Sequence, residues 1–150
     1  MKKSRLAAGS VVLVPLVPEG FAVGVVIHTD GKGRCAGAFF GPRVSSASDV
    51  DPSGLRLDDA VWVCRFGDYG LFHKRWPVIG PVPNWASAPW SVTKFSRRHD
   101  DPGLCHITEY DNLLNLLRER IAPASEGRAL PQDTSYGSGI VEARLSKMLP

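Results

Sequence analysis

The sequence lacks the spacings that usually betray chemistry. Its four histidines, His28, His73, His99 and His106, stand in no HExxH or HxH pattern, and its three cysteines make no CxxC. Local zinc ligand sets are therefore absent, and no metal or cofactor is expected. No G-x-S-x-G elbow or family-specific cysteine signature surrounds a serine or cysteine, so nucleophilic catalysis has no local support. Neither a P-loop nor a G-x-G-x-x-G is present to cradle a nucleotide phosphate. The adjacent acids Asp58-Asp59 and Asp100-Asp101 would point to opposite faces of a strand, which makes them turn residues rather than a carboxylate dyad. The expectation is a protein that is not an enzyme.

Long hydrophobic runs are also missing. The longest, VVLVPLV over 11–17, falls far short of the roughly 20 residues a spanning helix needs, so no membrane segment is expected. The start, MKKSRLAAG, has the charge of a leader, but Pro15 interrupts the apolar stretch behind it and no cleavage site follows. Three widely spaced cysteines, Cys35, Cys64 and Cys105, are a poor disulfide framework, and Cys64 reads as a small core residue. Together these features suggest a reduced, cytoplasmic protein. Excess charge is small: the net is +3, and Lys2, Lys3 and Arg5 in a basic tail over 1–8 account for it. The neutral body does not support a genome-binding surface.

What the chain does have is glycine, 15 residues, and proline, 12 residues, in a sequence that is 43% hydrophobic and 150 residues long. That balance suits short strands and many turns, and the length suits one domain over 9–150. SVVLVPL (10–16) and FAVGVVIH (21–28) read as a hairpin around Pro18-Glu19-Gly20. In the second strand Ala22, Gly24 and Val26 face one way and Val23, Val25 and Ile27 the other. Gly24 suggests a bulge or a close backbone approach. After the Asp30-Gly31 turn come RCAGAFF (34–40) and AVWVCRF (60–66), separated by a polar loop over 41–57. Segments 90–95 and 104–107 read as further edge strands.

Leu113, Leu116, Leu117 and Ile121 recur at helical spacing, which predicts a helix over 109–121 with Thr108 or Asp111 as its N-cap. A second helix is expected over 140–149, with Ser138 as cap and Val141, Leu145 and Met148 on one stripe. Residues 122–139 read as linker. The pattern gives a β-rich α+β fold: a small, strongly bent antiparallel sheet or SH3-like barrel followed by one or two C-terminal helices.

Two stretches mix cations with aromatics, HKRW (73–76) and KFSRRH (94–99). Cations neutralise phosphates and aromatics stack bases, so an SH3-like module for nucleic acid or a peptide is the alternative reading. Asp68, Asp100, Asp101 and the neutral body weigh against nucleic acid.

The most distinctive stretch is FGDYGLFHKRWPVIGPVPN (66–84), with G-D-x-G-L and then R-W-x-x-I-G. With GSVVLVPLVPEGFAVGVVI (9–27) before it and WSVTKFSRR and CHITEYD after it, the order resembles the immunity protein 26 family of bacterial polymorphic-toxin systems. The resemblance spans about 9–111. It implies a non-enzymatic, intracellular protein that binds and neutralises a cognate toxin encoded beside it. Read physically, Gly67 and Gly70 allow positive φ in a turn, Asp68 accepts backbone N–H bonds there, Trp76 fills a core beside Pro77, and Gly80 ends the segment. An inhibitor needs only a shaped surface with a few aromatic or arginine anchors. Tyr69, His73, Lys74, Arg75, Trp85, Trp90 and Arg97 are the toxin-binding candidates, and Trp62 is chemically suitable too. The neutral body disfavours an acidic mimic of nucleic acid.

Overall fold

The computed structural model describes residues 6–150; Lys2, Lys3 and Arg5 of the expected basic tail lie outside them. Among the described residues nine strands form two sheets. The larger is built from β1 (Ser10–Pro15), β2 (Phe21–Thr29), β3 (Arg34–Val44), β4 (Trp62–Gly67), β5 (Val78–Pro81) and β9 (Ser135–Tyr136), in the order β5-β1-β2-β3-β4-β9. Its pairs are antiparallel except β4–β9. The smaller is the antiparallel set β6 (Lys94–Arg98), β7 (Leu104–Tyr110) and β8 (Leu116–Pro123). Among the described residues there are three α-helices, α1 (Tyr69–Phe72), α2 (Ala124–Gly127) and α3 (Ser138–Met148).

The hairpin between β1 and β2 forms as expected, with Gly20 at φ +85°. Gly24 makes the close approach its position suggested. A Cβ there would lie 3.0 Å from the Phe39 ring and 3.1 Å from a Val12 methyl, so the strands meet across a bare backbone. The alternation on β2 also holds. Ala22 and Val26 join a core with Val12, Val14, Phe39, Phe66 and Trp76 under α3. Val23, Val25 and Ile27 join a second core with Val11, Leu13, Phe40, Val82 and Trp90.

Two expectations are corrected. First, the sheet does not close into an SH3-like barrel: β5 and β9 remain its edges among the described residues. The reason lies in burial. A barrel strand buries one face inside, whereas β1 and β2 are buried on both faces, by α3 on one side and by the second core on the other. Such strands read as continuous valine-rich runs rather than alternations.

Second, residues 109–121 are not a helix. They are the end of β7, a tight turn, and most of β8. Asp111 does bond backbone as a cap would, but its carboxylate accepts from the N–H groups of Leu113 and Asn115 and from the Asn115 amide, which makes a turn. Leu114 then takes φ +60°, a conformation no helix interior holds, and is buried in the second core. Tertiary pairing with β7 overrides the helical spacing.

Other boundaries shift. β3 runs on to Val44, and three single 3-10 turns occupy 47–59. Trp90 ends a 3-10 turn before β6, and β7 is the middle strand of its sheet rather than an edge. The segment that read as linker carries the end of β8, α2 and β9. α3 stands where the last helix was expected. Val141 and Leu145 are buried, but Met148 is exposed and Leu149 takes its place inside; Gly137, not Ser138, is the N-cap. Among the described residues no helix is long and apolar enough to cross a membrane.

Candidate functional site

The Gly67–Gly80 segment is built around Trp76. Asp68 opens α1 through its backbone: its N–H donates to the Gly33 carbonyl and its carbonyl accepts from Phe72 N–H, at 2.9 and 2.7 Å. Its carboxylate makes no cap bond. Gly67 and Gly70 do not carry the positive φ foreseen for them; Lys74, at φ +57°, and Gly80, at φ +141°, do. Gly70 is needed for space instead. A Cβ there would meet three atoms of the Trp76 indole at 2.8–2.9 Å. The Trp76 N–H closes the loop onto the Gly70 carbonyl, and the Pro77 carbonyl accepts from Leu13 N–H, which delivers the chain to β5.

Trp76 is fully buried, with ring centres 5.3 Å from Phe66 and 6.2 Å from Phe39. Its Nε1–H donates to Glu142 Oε2 on α3 at 2.8 Å. Arg75 grips the same carboxylate with two bonds, Nε to Oε2 at 2.7 Å and Nη2 to Oε1 at 2.8 Å. The Arg-Trp pair is therefore a clip that fastens α3 to the large sheet. Burial pushes the Glu142 pKa up, but the hydrogen bonds from Arg75 and Trp76 and the Arg75 charge outweigh it, so the carboxyl sits below its ordinary value.

A second polar junction joins the two sheets. Asp133 Oδ1 accepts from Arg65 Nη2 of β4 at 2.6 Å and from the Tyr110 hydroxyl of β7 at 2.8 Å. The Arg65 guanidinium lies 4.8 Å from the Tyr110 ring centre and 5.7 Å from that of Phe95. Burial alone would raise the Asp133 pKa, yet the Tyr110 and Arg65 hydrogen bonds and the Arg65 charge lower it. Burial, with the bond to Asp133, pushes the Tyr110 hydroxyl up to about 12.

The candidate anchors do not converge on one surface. Tyr69, His73 and Lys74 form an exposed tip, with the Tyr69 and His73 rings 4.2 Å apart. Arg75 joins that tip but is held by Glu142. Trp85 and Trp90 belong to the second core. Trp90 is buried against Phe40 at 6.1 Å, and half-buried Trp85 covers Gly9 and leans on Trp90 at 5.7 Å. Trp62 is half-buried, with Tyr136 at 5.2 Å and Arg144 over its ring. Arg97 sits on β6, paired bidentately to Glu119 at 2.7 and 3.0 Å.

The structure adds residues that sequence reasoning passed over, chiefly Glu142 and Asp133. Glu142 did carry a signal: it shares the buried helical stripe with Ser138, Val141 and Leu145, where an acid must find a partner. Asp133, in a polar stretch, carried none.

Cys35, Cys64 and His28 are buried, and burial shifts all three. Burial pushes the thiols of Cys35 and Cys64 up to about 12, far from a nucleophile's range. His28 is buried, its Nε2 accepting from Val92 N–H at 3.3 Å, and burial lowers its pKa. No group of three or more histidine, cysteine, aspartate or glutamate side chains could hold a metal among the described residues.

These shifts set a pH dependence. A histidine whose folded pKa is lowered stabilises the fold above its ordinary value, about 6.5, and that stability is lost as pH falls through the folded value. Glu142 and Asp133, also lowered, add stability present above about pH 4 and lost below it. Thermal melting from pH 8 to pH 3 should therefore show two successive losses. His28→Gln should remove the upper one and Glu142→Gln should blunt the lower one. A melting temperature that stays level from pH 7.5 to pH 5 would contradict the buried state of His28.

Against known proteins, the family model for immunity protein 26 matches residues 7–101, from just before β1 through Arg75 and Trp76 to just past β6. No curated protein and no solved structure matches the chain. With well over half of its length in that match, the chain belongs to the immunity protein 26 family.

Proposed function

We propose that this protein binds a cognate bacterial toxin in the cell that makes it and neutralises the toxin by surface complementarity, without catalysis. The observation that carries the reading is the family match over residues 7–101. The burial of the tryptophan in R-W-x-x-I-G agrees with it, because the family's most distinctive stretch then holds the scaffold together and leaves recognition to the surface.

The nucleic-acid alternative loses its stacking platform. Phe95 of KFSRRH and Trp76 of HKRW are both fully buried, so neither can stack on a base, and of the rings in these two stretches the imidazoles of His73 and His99 alone reach solvent.

Co-purification tests the proposal. The product of the toxin gene beside this one, made as an affinity-tagged inactive variant, should retain this protein through a wash at about 0.5 M salt, where surface charge pairs are largely screened. A neighbour that passes through without retaining it would count against the reading.

A further inference from the structure

The leucine pattern that suggests a helix ends up in water. Leu113, Leu116, Leu117 and Ile121 are 57%, 61%, 54% and 56% exposed. The last three lie on β8, which pairs with β7 on one side and, among the described residues, has no strand on the other. An apolar strip beside an unpaired backbone edge is a template for another strand. A register shift against β7 irregularises the start of β8 and Pro123 ends it, which leaves Arg118–Ala122 as a regular ladder whose outer side no described strand pairs.

The charges on that ladder select the occupant. A strand pairs antiparallel with its own copy, about a two-fold axis, in registers centred on a residue. Centring on Arg118 or Arg120 sets an arginine against itself. Centring on Glu119 sets Arg118 against Arg120 twice and Glu119 against itself. Like charges directly opposite are destabilising, so these three registers disfavour a second copy; registers centred on Leu117 or Ile121 avoid the clash but run into the irregular start of β8 or into Pro123, which has no N–H to give. An acidic strand meets the opposite situation. Cross-strand register puts Arg118 in a row with Lys94, and Arg120 one row further, towards Arg98, all on one sheet face. The acids near them are half-buried Glu109, which sits between Lys94 and Arg118 in that row and pairs with Arg118, and exposed Glu126, which pairs with Arg120. Such pairs contribute little and exchange readily for new partners.

We propose that β8 is the edge at which the toxin docks: an extended segment of the toxin adds to the small sheet as a fourth strand, its acidic side chains beside Arg118 and Arg120 and its apolar ones over Leu117 and Ile121. Main-chain bonds supply affinity in this mode and the alternate side chains supply specificity. The inference rests on the immunity reading.

The test is hydrogen exchange of the full chain, free and in complex with the purified product of the adjacent toxin gene, together with binding by an Arg118→Glu/Arg120→Glu variant. In the complex the amides of 116–122 should gain protection, and the double variant should bind at least tenfold more weakly. Its melting temperature should stay near that of the parent, and Lys147→Glu on α3 should bind normally. If the parent binds and the gain lies elsewhere, or if the double variant binds as well as the parent, the edge proposal fails while the immunity reading stands. If the parent does not bind, the two fail together. Protection of β8 already present in the free protein, with a dimer by sedimentation, would assign the edge to a second copy and overturn the proposal.

Discussion

Trp76→Ala is expected to lower stability by about 3–5 kcal/mol, the range for deleting a buried aromatic, and the melting temperature by roughly 10 °C or more for a chain of this size. Three losses combine. The indole leaves a cavity between Phe39, Phe66 and Gly70, because the strands that carry the phenylalanines are fixed by pairing on both sides. Glu142 loses a donor while staying buried. Arg75 is then the remaining link from this segment to the carboxylate, and its side chain is 59% exposed, which screens the pair. Trp76→Phe separates the contributions: it keeps most of the packing and removes the N–H, so it should cost about 1–3 kcal/mol, the scale of a hydrogen bond to a charged group. Urea unfolding of both variants gives the numbers. A loss under about 1 kcal/mol for alanine would mean that the ring is not the keystone of the large sheet.

Asp133→Ala is expected to cost about 3 kcal/mol, the low end for removing one partner of a buried ion pair. Arg65 is the residue left exposed to the loss. Its side chain is 17% accessible, its Nε has no hydrogen-bond partner among the described residues, and Asp133 accepts the bond that its Nη2 donates. The Tyr110 hydroxyl loses its acceptor in the same step. Arg65 projects from the large sheet while Tyr110 and Phe95 belong to the small one, so the damage concentrates where the sheets meet. Native-state hydrogen exchange should show β6–β8 opening at lower free energy than β1–β4, which is not expected of Trp76→Ala. Uniform loosening of both sheets would show that Asp133 is not their junction. Asp133→Asn should recover part of the stability, since its amide oxygen can still accept from Tyr110.

The large sheet was legible because its strands are dictated locally. Valine-rich runs, Gly20 and Asp30-Gly31 say where the chain extends and where it turns, and Gly24 announced the close approach to Phe39. The same runs also carried the evidence against a barrel, since SVVLVPL has no polar alternation to place one side of β1 in water. The β8 region was misread for a definite reason. Leu113, Leu116, Leu117 and Ile121 fit a helical face by spacing, but a face in water has no core to satisfy, and pairing with β7 together with the Asp111 turn decides the outcome. The buried role of Trp76 was readable from size and neighbours. Its partner was not, because Glu142 lies 66 residues away and only the fold brings them together. Arg75, Trp90 and Arg97 are toxin-binding candidates by residue type, with core and surface tryptophans left undistinguished. Residue type cannot distinguish an arginine free for a partner from one clasped by Glu142 or Glu119, nor an exposed indole from one packed on Phe40.

The central claim is that the chain neutralises a toxin made in the same cell, and survival measures it most directly. The toxin gene beside this one would be induced alone and together with this protein, and surviving cells counted. The account predicts killing by the toxin alone and growth restored by this protein, with rescue diminished by Arg118→Glu/Arg120→Glu but kept by Lys147→Glu. A toxin that kills equally well in the presence of abundant, folded protein would contradict it.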